Sequence, residues 1–147
     1  MEARIKSDFF REVTKRLEID GMKFSKNQIQ IRSLTNQAVI ADKCTVAKHY
    51  LVRLKGLIGR TQFEAGEGML FPRCNDIHMW FMSMPIDVVF IRGKNSANEF
   101  EVVSVHSRVK AWKPLPLRNR KASETLELPV GTIERCSIKV GDTICIS

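Results

Sequence analysis

One stretch, MPIDVVFI at 84–91, restricts this chain more than any other. Its last four residues are all apolar and rich in β-branched and aromatic types, the pattern of a strand covered on both faces. Such a strand needs packed layers or a closed sheet around it. Asp87 stands at its mouth, where an unpaired carboxylate would be costly. The expectation is that backbone N–H groups or an arginine such as Arg60 or Arg53 hold it, because a buried charge persists only when paired and hydrogen-bonded. Held that way, it either lines a ligand pocket or pins a helix end to the sheet.

Extended material dominates after residue 60. GEGMLF (66–71), MWFMSMPIDVVFI (79–91), FEVVSVHSRV (100–109) and TLELPVGT (125–132) read as strands and their turns, with Val103, Val105, Ser107 and Val109 expected on one side. IKV and TICI flank Gly141 and Asp142, which suits a two-residue hairpin. Upstream, IQIR (29–32) and QAVIAD (37–42) read as strands joined around Asn36. Two helices are expected. The first spans 8–18, with Asp8 as N-cap and Phe9, Phe10, Val13 and Leu17 on one face. The second places Val46, Tyr50, Leu51, Leu54, Leu57 and Ile58 opposite Lys48, Arg53 and Lys55, and ends at 56–59. The fold class is therefore mainly β: a small barrel-like domain over 29–147 with one central helix, preceded by an N-terminal amphipathic helix in an arm or leader over 1–28.

Of 147 residues, 44% are hydrophobic and 27% charged, which excludes disordered, collagen-like and fibrous chains. No stretch approaches the ~20 apolar residues of a membrane-spanning helix, and the N-terminus lacks the apolar region of a secretory signal, so a cytoplasmic address is expected. The formal charge of +8 is segregated: +5 over 27–60, −3 over 61–91 and +6 over 92–121. If folding brings Lys43, Lys48, Arg53 and Lys55 near Arg108, Lys110, Lys113, Arg118, Arg120 and Lys121, the result is a basic face for phosphate or an acidic partner; otherwise these charges serve solvation. Trp112, in the basic, proline-rich segment AWKPLPLR, either stacks on a base or aromatic partner or folds over an open end of the sheet. Trp80, Phe81, Met82 and Met84 read as core packing, or as the hydrophobic floor of a ligand site.

Cys44, Cys74, Cys136 and Cys145 are scattered without zinc-site spacing and read as reduced thiols. Cys74 and His78 could serve as an activated nucleophile or as two metal ligands, but an extended 74–78 segment would hold them about 13 Å apart. The glycines of GEGMLF and VGDT lack the spacing of phosphate-binding loops. Glu67 and Glu127 form no pair suited to acid–base work, and Glu127, facing away from whatever Leu126 and Leu128 pack against, is expected to be either solvated or pocket-facing. No catalytic constellation, metal or cofactor follows from these patterns.

KGLIGR, GEGMLF, MPIDVVFI, LELPVGT and the late VGD occur in an order and spacing that resemble the family known as domain of unknown function 192, over about residues 30–147. Cys74 and His78 resemble a Cys-x-x-x-His pair found in one branch; the larger branch has tryptophan at the position of His78, which suggests a flat side chain bordering a groove or packing under a loop. The resemblance implies a β-rich, barrel-like fold and no established reaction, cofactor or substrate. The expected function is a non-enzymatic binding or accessory module. Its concave surface near Arg60, His78 and Asp87, with Trp80 and Trp112, would receive a small ligand or peptide. The alternatives are a small hydrolase using Cys74 or Asp87, and a nucleic-acid-binding module using Lys110, Lys113, Arg118, Arg120 and Trp112.

Overall fold

The computed structural model describes residues 28–47, 60–80 and 82–147. Its elements are β1 (Gln28–Ser33), β2 (Val39–Val46), β3 (Glu67–Pro72), β4 (Asp76–Ile77), β5 (Ile86–Gly93), β6 (Glu99–Val109), β7 (Leu117–Arg118), β8 (Glu124–Leu128), α1 (Thr132–Arg135) and β9 (Thr143–Ile146). Seven strands close into a barrel in the order β1-β2-β3-β8-β5-β6-β9, and β4 pairs with β7 in a separate two-stranded sheet. Only β2 and β3 are parallel; the other pairs are antiparallel. The helix expected over 8–18 lies outside the described residues, as does the one over 46–58 except Val46, which ends β2, and Ala47, which follows it outside any helix.

Side chains alternate across a strand, so β5 serves two cores. Val89 and Ile91 point into the barrel with Ile31, Ile40, Leu126, Leu128 and Ile144. Val88 and Phe90 point outward into a second cluster with Met69, Phe71, Met79, Met82 and Val109. That outer cluster lies beneath a lid made, among the described residues, of 73–80 with 82–85 and of 110–122. The lid is sewn together by β4–β7 pairing, by Asn119 N–H to Asn75 O at 2.9 Å and by Trp112 N–H to Met79 O at 2.8 Å. It is sewn to the barrel by Thr125 Oγ to Cys74 O at 2.7 Å and Asn119 Nδ2 to Ser104 Oγ at 3.0 Å.

Three local expectations are corrected. The run 79–85 is not a strand: Met82 N–H turns back to Met79 O, and the buried Met79 and Met82 fill the outer layer while the barrel interior is filled from the strands. Val103 and Val105 do not share a face, because β6 is bulged. Phe90 opposes Ser104 and Ile91 opposes Val102, so Val103 is the extra residue; it packs in the outer cluster and Val105 against the inner one. IKV and TICI do not form a hairpin. Gly141, at φ 92°, is the third residue of a turn closed by Asp142 N–H to Lys139 O, the conformation of a type II turn, and β9 pairs with β1 and β6 instead.

One end of the barrel is plugged by α1, whose Ile133 joins Cys136 and Ile138 in the inner core. The helix has only four residues and its N-cap is Gly131, at φ 89°, which brings no side chain to the free N–H groups. Asp87 supplies the missing acceptor from β5. Its Oδ2 accepts Ile133 N–H at 2.9 Å, the amide that an N-cap side chain ordinarily serves, and its Oδ1 accepts Arg108 N–H at 2.9 Å. Arg108, at φ 53°, lies in a second bulge: Ile86 opposes Val109 and Val88 opposes His106, so two residues face Asp87. The carboxylate thus ties together a strand, a bulge and a helix start. Asp87→Asn replaces one acceptor by a donor facing an N–H, and is expected to cost about 2–3 kcal/mol. Thermal unfolding should register this as a loss of several degrees, with far-ultraviolet circular dichroism unchanged below the transition.

Candidate functional site

Asp87 has no exposed surface, and each of its oxygens accepts a backbone N–H. It therefore cannot meet a ligand; of the two kinds of partner expected for it, backbone N–H groups hold it, and Arg60 is employed elsewhere. Arg60 Nη2 lies 3.0 and 2.9 Å from Glu67 Oε1 and Oε2, and its guanidinium sits 5.6 Å over the Phe63 ring. Burial raises the Glu67 pKa, but hydrogen bonds from Glu64 N–H and Arg60, with the charges of Arg60 and Lys43, bring it below the ordinary value. Arg53 lies outside the described residues.

Cys74 is half-buried and its Sγ donates to Asp76 O at 3.1 Å. His78 is exposed, its ring centroid 5.2 Å from that of Trp80 with 37° between the planes. Cys44 is enclosed in the barrel, where burial pushes its thiol up to about 12, and burial raises Cys136 too. Neither thiol is suited to attack at neutral pH.

A concavity with chemical content follows the bulge at Arg108. An open groove of about 700 Å³ runs from the end of β6 along 109–114 to Leu117 of β7. Its walls are mixed. Val109, Ala111, Pro114 and Leu117 supply apolar surface, and His106, Arg108, Lys110, Trp112 and Lys113 supply rings and cations. Trp112 is 51% exposed at φ 59°, a left-handed conformation unusual for a bulky residue, held by its N–H bond to Met79 O. His78 and Trp80 flank buried Met79, so the bond that fixes Trp112 joins it to the segment carrying the other two exposed rings.

The cations divide into two sets. Arg108 meets Glu134 at 3.2 Å and Arg118 meets Asp76 at 3.6 Å, both exposed pairs of small energetic value. Lys110, Lys113, Arg120 and Lys121 make no ion pair among the described residues. His106 stands edge-on to Phe90 at 5.7 Å between centroids, and burial together with the Lys113 charge lowers its pKa, which favours the uncharged ring. His106 was not singled out by sequence, where it is one polar residue in an alternating strand.

A smaller groove of about 460 Å³, lined by residues such as Phe63, Met84, Pro85 and Val130, opens near Arg60. Arg60 and His78 line neither groove.

The family model of DUF192, described as Uncharacterized ACR, matches residues 29–146. The chain belongs to the DUF192 family. Its crystal-structure relatives include a protein of unknown function from Novosphingobium aromaticivorans DSM 12444, 22% identical with a TM-score of 0.65, the match covering 80% of this chain and 82% of that one. A second, a proposed transcription regulator from Sinorhizobium meliloti 1021, is 22% identical with a TM-score of 0.68, covering 84% and 95%. At this identity the likeness is one of fold. No curated protein matches the chain. In this DUF192 protein the recurring motifs surround the barrel and its plug: GEGMLF makes β3, MPIDVVFI carries Asp87, and LELPVGT runs from β8 into α1. The groove lies largely outside them.

Glu127 of the LELPVGT motif is the remaining polar residue of note. It faces outward, away from Leu126 and Leu128, yet it is buried, opposing Met69 on one side and Val88 on the other. It has no side-chain hydrogen bond or ion pair among the described residues, and burial pushes its pKa up to about 8. The folded state thus holds this proton to higher pH than the unfolded chain does, so the protein is expected to lose stability as pH rises from about 4.5 to about 8. Glu127→Gln, which mimics the neutral acid, should unfold like the wild type at pH 5 and be more stable by about 2–4 kcal/mol at pH 8, read from urea titrations at both pH values.

Proposed function

We propose that this DUF192 protein is a non-enzymatic binding module of the cytoplasm whose ligand surface is the groove from His106 to Leu117, and that its partner is anionic. The observation that carries this reading is the pairing of a strained, half-exposed Trp112 with Lys110 and Lys113, which are without counter-ions among the described residues. A non-glycine residue in the left-handed region costs about 1–3 kcal/mol and persists where the surroundings over-determine it, which favours a functional position. The expected surface moves accordingly. Trp112, Trp80 and His78 stay candidates because all three rings are exposed on adjoining lid segments, whereas Asp87 is spent on the fold.

The hydrolase alternative would need Cys74 and Asp87 to meet in one cleft, and Asp87 offers no surface to any cleft. The transcription-related description of the Sinorhizobium meliloti relative agrees with an anionic partner.

Charge reversal tests the reading. Lys110→Glu with Lys113→Glu should lower the salt concentration that elutes the protein from heparin-agarose, well beyond the shift given by Lys94→Glu with Lys139→Glu. The second pair changes net charge equally and lines neither groove. Equal shifts from both pairs would mean that heparin reads total charge only.

A further inference from the structure

Resting on that reading, we infer that the anionic partner is single-stranded nucleic acid, with Trp112 and the His78–Trp80 pair as stacking platforms and Lys110 and Lys113 on the phosphates. Three observations and one general argument lead there. The groove alternates apolar wall with cation, whereas a purely acidic peptide would be matched by cations alone. Nucleic acid brings flat apolar faces and phosphates at regular alternation, and proteins that bind single strands without sequence preference combine a positive groove with aromatic side chains.

The rings are also suitably placed. Trp112 is 51% exposed and Trp80 47% exposed, and the backbone bond from Trp112 N–H to Met79 O fixes their two segments side by side. His78 lies against Trp80 at 5.2 Å, so that platform is a layered pair rather than a lone ring. His106 adds a further ring inside the groove, edge-on to Phe90.

Cations continue past the groove. Arg120 and Lys121 follow β7, both exposed and without an ion pair among the described residues, while Asn119 anchors their loop to Ser104 at 3.0 Å. A strand leaving the groove past Leu117 would meet them next. Finally, exposed rings have little use on a stacked duplex, whose base faces are covered; unstacked bases offer theirs.

The experiment is fluorescence anisotropy of labelled oligo-dT and oligo-U, about a dozen nucleotides long, titrated with the full chain, with a duplex of equal length and polyglutamate as competitors. The expected result is single-strand binding that weakens steeply with salt. Lys110→Gln with Lys113→Gln should reduce the slope of log K against log salt by about 1.4. Trp112→Ala should weaken binding about ten- to hundredfold, and Trp112→Phe should restore most of it. Thermal unfolding of each variant separates a lost platform from a lost fold, and Trp80→Ala probes the second platform should Trp112→Ala not fold. Polyglutamate or duplex competing as well as the single strand, with Trp112→Ala binding like the wild type, would overturn the nucleic-acid inference and leave the anionic-partner reading standing. Absence of binding to any of these polyanions at low salt would overturn both.

Discussion

Each oxygen of Asp87 accepts one backbone N–H, and the two donors belong to different elements, the start of α1 and the bulge of β6. Remove the carboxylate and Ile133 N–H loses its only evident cap, because Gly131 has no side chain to offer. The bulge N–H of Arg108 is orphaned in the same step. Since α1 seats Ile133 in the barrel end and Arg108 opens the segment that becomes the groove, one side chain fixes both the closure of the core and the departure angle of the lid. Arg108 repeats the link on the surface, where its guanidinium reaches Glu134 of α1. An exposed pair adds little energy, but it points the bulged residue toward the plug.

The second constraint is that β5 has no solvent face. Its interior positions complete a barrel core, and its outer positions would leave Val88 and Phe90 in water were there no lid. The lid is nearly free of regular structure, so its polar backbone needs explicit partners, and it finds them in the short β4–β7 ladder, in Asn119 and in the carbonyls of Cys74 and Met79. Glu127 inherits its state from this layering. On a bare barrel it would be a solvated carboxylate; under a lid it is an acid that retains its proton near neutrality.

Much of this was legible in the chain. The all-apolar 88–91 run required cover on both sides, and the strands around it follow from alternation and turn residues, which is why the barrel could be read. Asp87 was legible as a charge needing a partner, with backbone N–H groups among the candidates, but not which N–H groups, because backbone donors leave no trace in a side-chain pattern. The plug escaped notice for a related reason: TIER is too short for a helical period, and its cap arrives from a strand 46 residues away. Gly141 announced a turn correctly, yet a glycine at positive φ serves type II and hairpin turns alike, so strand partners could not be inferred from it. The path of the 79–85 run is not legible in its residues, because apolar composition specifies burial and not path. Of the site, Trp112 and its lysines stood out by contrast with a proline-rich setting, whereas the bond joining them to Met79 and the rings beside it depends on a contact between residues 33 apart.

Trp112 and Arg108 both occupy left-handed backbone, and glycine would occupy either place at less cost. Evidently the side chain is wanted in each. For Arg108 the side chain reaches α1; for Trp112 the indole remains half exposed at the lip of a groove. The strain is sustained from below, by Asp87 at one residue and by Met79 O at the other, so this segment is held at both points rather than left to find its shape on contact. Under the proposed function, a surface arranged in advance would lose less conformational entropy on binding, the advantage a shallow, partly charged groove most needs. The fold thus spends its buried hydrogen bonds on the orientation of one exposed loop, and the cations of that loop are the part of the chain least explained by the barrel itself.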